Sequence, residues 1–289
     1  MSGRRDGVSI EIRFDEAARR IFVFDEVYSE RAAREQAEKR KLGAFGTVAR
    51  MQSLIAGGPK PETVSLSKSE LRYEPFWLVS AQRAVDYTCQ VEYTVAVDNA
   101  HAQRVQIGSF TTEVAARGSK RQIVVPALET CHRKIDFATH LDGLKREIRA
   151  ATLEAYVRNY KAQDVEAMTA GNAVESLVSV ASVIQIATSR LTGEAITAHE
   201  IGHDQLLIDK LYLYWRPVFA FEYVWTANGK TGVVEIDGLT GDGVSNGQWF
   251  KDKLQRVMTR DMLIEVSSEV ANAVVPGTGV AVKLIDRML

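Results

Sequence analysis

Two segments far apart in the chain open alike, and they constrain the fold more than any other feature. Tyr73-Glu74-Pro75-Phe76-Trp77 stands near the start of one Val-, Tyr- and Thr-rich run, and Tyr214-Trp215-Arg216-Pro217-Val218-Phe219 near the start of another. Each is followed by alternating apolar and polar residues, then by an Asn-containing turn (Asn99-Ala100; Asn228-Gly229), then by a short Val-rich stretch. β-branched and aromatic residues alternating with polar ones form half-buried strands, and Asn-Gly between two such runs is a strong hairpin signal. The pattern predicts two related antiparallel-sheet units, an internal duplication, each built from several strands joined by short turns.

Helical sequence separates and flanks these runs. "SERAAREQAEKRKLGAFGTVARMQSLIAGG" is rich in Ala, Glu, Arg and Lys and is stopped by Gly57-Gly58 and Pro59. In "HLDGLKREIRAATLEAYVRNYKAQDVEAMTAG", Leu144, Ile148, Ala151, Ala155 and Tyr156 recur at helical spacing. "NAVESLVSVASVIQIATSRL" fits helix and strand equally. "QWFKDKLQRVMTRDMLIEVSSEVANAV" carries an apolar stripe of Trp249, Phe250, Leu254, Val257, Met258 and Leu263. At the other end, "VSIEIRF" alternates as a strand, with "IFVF" (21–24) as its expected hairpin partner. The expected class is α+β: two related antiparallel-sheet units with long helices between and flanking them. One unit occupies residues 1–140 and the other 141–289.

Of 289 residues, 36 are Lys or Arg and 37 are Asp or Glu, a formal net charge of -1. That balance gives no electrostatic footprint for nucleic acid and little attraction to an anionic membrane. No apolar run resembles a secretory signal or a bilayer span. The two cysteines, Cys89 and Cys131, are read as reduced thiols of a cytoplasmic protein.

The stretch Pro217–Gly243 is similar to the PepSY family of small domains. The family's ending of the type V-x-V-D-x-x-T-G stands here as Val234-Glu235-Ile236-Asp237-Gly238-Leu239-Thr240-Gly241. The resemblance covers roughly a tenth of the chain and does not extend to the first sheet segment. It implies a non-catalytic interaction module, of a kind associated with restraining peptidases and with cell-envelope proteins.

One motif points to chemistry. His199-Glu200-Ile201-Gly202-His203 matches H-E-x-x-H. On a helix, His199 and His203 would share a face and bind one zinc ion, with Glu200 as general base. A third ligand is required. Asp209 stands where the extended motif puts His, without the glycine turn, and Glu222 lies in strand-like sequence. We read the match as coincidental, with a zinc metallopeptidase as the alternative. Cys131, His132 and His140 are read as solvated loop residues rather than a metal site. Trp77, Tyr214 and Trp215 are the candidate binding aromatics, although two sheet cores explain them more simply.

The expectation is therefore a protein-binding or assembly module with no cofactor, or zinc under the alternative. Its partner is another protein or a second copy, not nucleic acid. The apolar segment 276–289 offers a further alternative, self-association or membrane contact through the tail.

Overall fold

A computed structural model describes residues 10–46, 58–118, 120–169, 171–245, 247–250, 257–272 and 283–284. Its backbone is mostly sheet. Two strands dominate, β3 (Val64–Ala96) and β10 (Glu200–Trp225); the other long strand is β7 (Lys120–Asp142). The shorter strands are β1 (Glu11–Phe14), β2 (Arg19–Phe24), β4 (Arg104–Ile107), β5 (Phe110–Glu113), β6 (Ala115–Arg117), β8 (Ala162–Val165), β9 (Ala167–Met168), β11 (Lys230–Asp237), β12 (Gly243–Ser245), β13 (Met258–Thr259) and β14 (Lys283–Leu284). Among the described residues the α-helices are α1 (Glu30–Arg40), α2 (Ala150–Asn159), α3 (Val180–Thr192) and α4 (Arg260–Asn272).

This overturns the expected α+β class. One large mixed sheet, in the order β12-β11-β10-β3-β7-β6, replaces two sheet units, and the helices are short. The two aromatic–proline segments do not found separate sheets; they pair with each other. Pro75 lies opposite Trp215, Glu74 opposite Arg216, and Tyr73 opposite Pro217 in the antiparallel β3–β10 ladder. The run expected to break into several strands continues unbroken for 33 residues, roughly 110 Å of extended chain. Three register shifts in the β3–β10 ladder, at Ile201/His203, Ile208/Lys210 and Glu222/Tyr223, relieve so long a pairing.

The helical expectation for 140–171 holds over Ala150–Asn159 only, and its flanks become strand for a related reason. Its first residues extend β7 because β3 offers them a ladder, with Leu141 opposite Trp77 and Asp142 opposite Phe76. Residues 162–168 become strands against β2 and β13. Helix propensity is a weak prior, and available backbone partners override it. In the first helical stretch, α1 gives way to a 3-10 turn over Lys41–Phe45; residues 47–57 lie outside the described set. The stretch that fitted helix and strand equally is helix α3, capped by the Ser179 hydroxyl accepting from the Ser182 amide. α4 starts only at Arg260, after Met258 has paired with Met168. Of the tail 276–289, only Lys283 and Leu284 are described; their backbone pairs with Glu11 and Ile12.

The expected β1–β2 hairpin is also replaced. A 3-10 turn at Glu16–Ala18 steps the chain forward instead of reversing it. Consequently β1 and β2 both run parallel to β10, at Gln205–Ile208 and Leu211–Trp215 in turn. β11 covers the rest of that edge, from Val218 to Trp225, through the hairpin that Asn228-Gly229 turns with Gly229 at φ 70°. From Gln205 onward the outer side of β10 is thus covered by three short strands in relay.

The prolines sit where the outer partners change. Pro75 O accepts from Gly143 N at 2.9 Å, and Pro217 O accepts from Gly238 N at 2.9 Å. A strand residue's N–H and C=O point the same way, so each missing proline donor faces outward, just past the end of the β7 or β11 ladder. The glycines are required by this approach: a Cβ on Gly143 or Gly238 would lie 2.6 or 2.8 Å from the proline oxygen. The two halves therefore match locally, Leu141-Asp142-Gly143-Leu144 on one side and Ile236-Asp237-Gly238-Leu239 on the other. The domain boundary expected after residue 140 falls inside β7.

Helices α3 and α4 pack with Trp77, Val79, Leu206, Ile208, Leu213 and Trp215 on one face of the sheet. α1 sets Ala33 and Ala37 against Phe219, Phe221, Val234 and Ile236. α2 covers Phe76 and Tyr214 with Leu153 and Tyr156. With cover on both faces, β10 is buried without interruption from Leu213 to Phe221. No described helix is long and apolar enough to cross a membrane.

Candidate functional site at the root of a projecting ribbon

β10 begins opposite Thr88. Past that point β3 has lost its inner neighbour, and Cys89–Ala96 pair only with Gln122–Glu129 of β7. The result is a two-stranded ribbon, roughly 27 Å long, that leaves the body of the sheet. At its tip the chain turns at Asn99, forms the β4–β5 hairpin, and returns through β6. Ribbons of two strands bury little, and this one exposes large apolar side chains: Tyr93 by 50%, Val95 by 45%, Val124 by 38% and Leu128 by 61%. The Tyr93 hydroxyl donates to Glu129 across the strands, and that bond, with the Glu129 charge, pushes the phenol's pKa up.

The root of the ribbon gathers two sequence motifs. The H-E-x-x-H residues lie on no helix. His199 is the residue before β10, its amide bonded to Thr88 O at 2.7 Å, and Glu200, Ile201, Gly202 and His203 are the first residues of the strand. Pairing with β3 decided this, because the segment completes a sheet whose next residues, Asp204, Leu206 and Ile208, face the core. The shared helical face that would join His199 to His203 is therefore absent. His203 stands opposite Asp86, and Asp86 opposite His132, so the three line up across β10, β3 and β7. His132 Nδ1 is 2.6 Å from Asp86 Oδ1, at a pair exposed by about half and so screened by water. His203 Nε2 is 3.1 Å from Gln205 Oε1, and His199 Nε2 3.2 Å from Gln90 Nε2.

The two candidate third ligands lie elsewhere. Asp209 is at a register shift roughly 20 Å further along the strand, and Glu222 roughly 60 Å along it. Glu222 accepts from Ser67 Oγ at 2.7 Å. Among the described residues no three His, Cys, Asp or Glu side chains are placed to hold a metal ion.

Strand alternation sends Cys131 and His132, adjacent in sequence and both in β7 rather than a loop, to opposite faces. His132 meets Asp86; Cys131 stands opposite Tyr87, diagonal to Cys89. Cys89 Sγ donates to Thr197 O at 3.3 Å, and burial, then Cys131, pushes its thiol pKa up. His140 lies two rungs from the end of the ladder, where burial pulls its pKa down.

The candidate binding aromatics are core. Trp77 is 1% exposed and its Nε1 donates to Ser176 Oγ and Val178 O, both at 3.1 Å. Tyr214 stacks on Phe76 with ring centroids 5.0 Å apart. Trp215 is fully buried. An open cleft of about 450 Å³ is lined by Phe24, Asp25, Glu26, Tyr73, Gln163 and Met168, among others, but Asp25 already accepts from Gln163 there.

Sequence reasoning missed a buried network of charges centred on one carboxylate. Glu74 is fully buried at the crossing of β3 and β10. Its Oε1 accepts from Arg72 Nη2 at 2.7 Å, and its Oε2 from Arg216 Nη2 and Arg146 Nη2, both at 2.8 Å. Burial alone would raise its pKa, but the Arg216, Arg146 and Arg72 guanidiniums overcome it and hold the carboxyl at about 2. Arg72 also reaches Glu235 Oε1 at 2.6 Å and Gln248 O at 2.7 Å, beneath the Phe250 ring. Arg146 grips Asp142 through Nε and Nη2 at 3.0 and 2.9 Å. Arg216 and the Tyr156 hydroxyl both donate to Asp237, whose other oxygen accepts from the Leu239 amide at 2.8 Å. A carboxylate held this firmly ionised is an anionic hub, not a proton carrier. The signal was present in the sequence as the repeated Asp-Gly-Leu, with an Arg beside one proline and a Glu beside the other.

No family model, curated protein or solved structure matches this chain.

Proposed function

We propose that this protein is a non-catalytic binding or assembly module whose contact element is the ribbon. The observation that carries the reading is the exposure of Tyr93, Val95, Val124 and Leu128 together on two strands that leave the body of the sheet. Tyr93 and Val95 lie on one face of the ribbon and Val124 and Leu128 on the other. Exposed apolar residues on both faces of one projection mark a protein-contact element, and the unpaired backbone edges beside them add strand-to-strand pairing. A second copy of the chain presents the same two faces and the same edges, so homotypic contact is the simplest form of the reading. The near-zero net charge adds no long-range repulsion between copies. Two free thiols, Cys89 and Cys131, fit a reducing, cytoplasmic setting.

Sedimentation velocity over a wide concentration range tests it. The wild-type chain is expected to associate, and Leu128→Lys combined with Tyr93→Ser to shift the midpoint of association to at least tenfold higher concentration with unchanged circular dichroism. A wild-type chain that sediments as a monomer throughout, indistinguishable from the double variant, would count against the reading.

A further inference from the structure

Cys89 and Cys131 are 42 positions apart in sequence yet neighbours at the place where the sheet narrows to the ribbon. Tyr87 pairs with Cys131 and Cys89 with Glu129, so the two cysteines are offset by one two-residue step on the same face. Neither is in a disulfide, and both are partly exposed. Burial, then the neighbouring Cys131, raises the Cys89 thiol's pKa, and the Tyr87 hydroxyl lies beside both cysteines. These are the only cysteines in the chain, so neither has a competing partner within it.

The local architecture sets what such a pair can do. Diagonal neighbours on antiparallel strands have Cα atoms roughly 7–8 Å apart. A relaxed disulfide spans about 4.4–6.8 Å. Closure therefore asks the strands to shift by about an ångström. In the middle of the sheet, where β3 is clamped between β10 and β7, that movement would break neighbouring ladders. At Cys89 the clamp has just ended, since β10 pairs no further than Thr88. The pair stands where β3 is first free to move toward β7, and a bond closed at this spacing is more readily reduced than a relaxed one.

We infer that Cys89 and Cys131 are a reversible dithiol–disulfide site that staples β3 to β7 at the root of the ribbon. The oxidant is a low-molecular-weight disulfide such as glutathione disulfide. One cysteine thiolate attacks a glutathione sulfur; the S–S bond breaks and one glutathione leaves as its thiolate, leaving a mixed disulfide on the protein. The second cysteine thiolate attacks the protein sulfur of that mixed disulfide and expels the second glutathione. Both protein thiol protons end on the two glutathiones. Two protein thiols are oxidised by two electrons, and one glutathione disulfide is reduced to two thiols. Closure also releases Thr197 O from Cys89, loosening the segment that leads into β10. The site does not depend on which partner the ribbon contacts.

The test uses the reduced full-length chain, equilibrated across graded ratios of reduced to oxidised glutathione, then alkylated and weighed intact and after proteolysis. The expected product loses both alkylation sites, is lighter by two hydrogen atoms, and yields a peptide linking Cys89 to Cys131. Addition of excess reduced glutathione restores both alkylation sites. In the Cys89→Ser and Cys131→Ser variants the remaining cysteine is expected to accumulate as a glutathione adduct, because the resolving thiol is gone. Wild-type protein that keeps two alkylatable thiols, stops at glutathione adducts, or forms only intermolecular dimers at oxidising ratios overturns the inference. So does a link that forms no faster in the native chain than in the urea-unfolded chain, since proximity in the fold would then play no part.

Discussion

At the residue scale, Glu74 decides the most. A fully buried carboxylate is tolerable only because three guanidiniums reach it, and each of them has a second acidic partner or carbonyl. Such a network is weak evidence for stability in itself, since desolvation offsets much of the attraction. Breaking it from one side is costly because charges are left buried and unpaired. Glu74→Gln is expected to destabilise the chain by about 3–5 kcal/mol, read from the midpoint of urea unfolding. The same group makes stability depend on pH. Its carboxyl sits at about 2 in the folded chain against an ordinary 4.5, so the folded state favours the ionised form. The contribution is fully present above about pH 5 and is lost as pH falls from there toward 2. Urea midpoints measured down that range should fall more steeply for wild type than for Glu74→Gln.

At the element scale, the fold relies on a side chain that closes a helix end. Arg83 of β3 is buried and donates to both oxygens of Asp204 on β10, at 2.9 and 2.7 Å. Its remaining amine donates to Leu191 O and Glu194 O at 2.9 and 3.1 Å, satisfying carbonyls that the end of α3 leaves without partners. One residue thus joins two central strands to the helix packed over them. Arg83→Met keeps the apolar stem but strands Asp204 and both carbonyls, and is expected to cost about 3–5 kcal/mol. Arg83→Lys should rescue less than half of that loss, because a single ammonium cannot make the planar two-oxygen contact. Urea unfolding of the three chains checks the order. None of this could be read from the sequence: Arg83 and Asp204 are 121 positions apart, and nothing local marks either as buried.

At the scale of the whole molecule, the long strands run through regions of unequal support. Between Tyr73 and Tyr87, β3 lies between β10 and β7 over much of its length, with helices on its faces; from Cys89 onward it has one partner and little cover. Local opening free energy follows buried contacts and backbone protection. Amide hydrogen exchange should therefore change sharply along a single strand, with Gln90–Val95 exchanging at least about 100-fold faster than Val79–Val85, a difference in opening free energy of about 2.7 kcal/mol. Uniform protection along β3 would mean that the ribbon is covered in solution.

What the sequence by itself determined is local. The alternation in 71–96 and 211–225 made strands, and Asn228-Gly229 made a hairpin. Both hold because strand alternation and turn geometry depend on neighbouring residues. The tertiary structure decided the rest: that the two aromatic–proline segments pair with each other, that "HLD" extends a strand, and that H-E-x-x-H enters a sheet instead of a helix. Each depends on which backbone partner a segment meets, and those partners are distant in sequence, more than a hundred residues for β3 with β10 and more than sixty for "HLD" with β3. The candidate site was half legible for the same reason. Its histidines and cysteines stood out as residue types, but only the ladder register brought His203, Asp86 and His132 into line on one face and placed Cys89 beside Cys131 on the other.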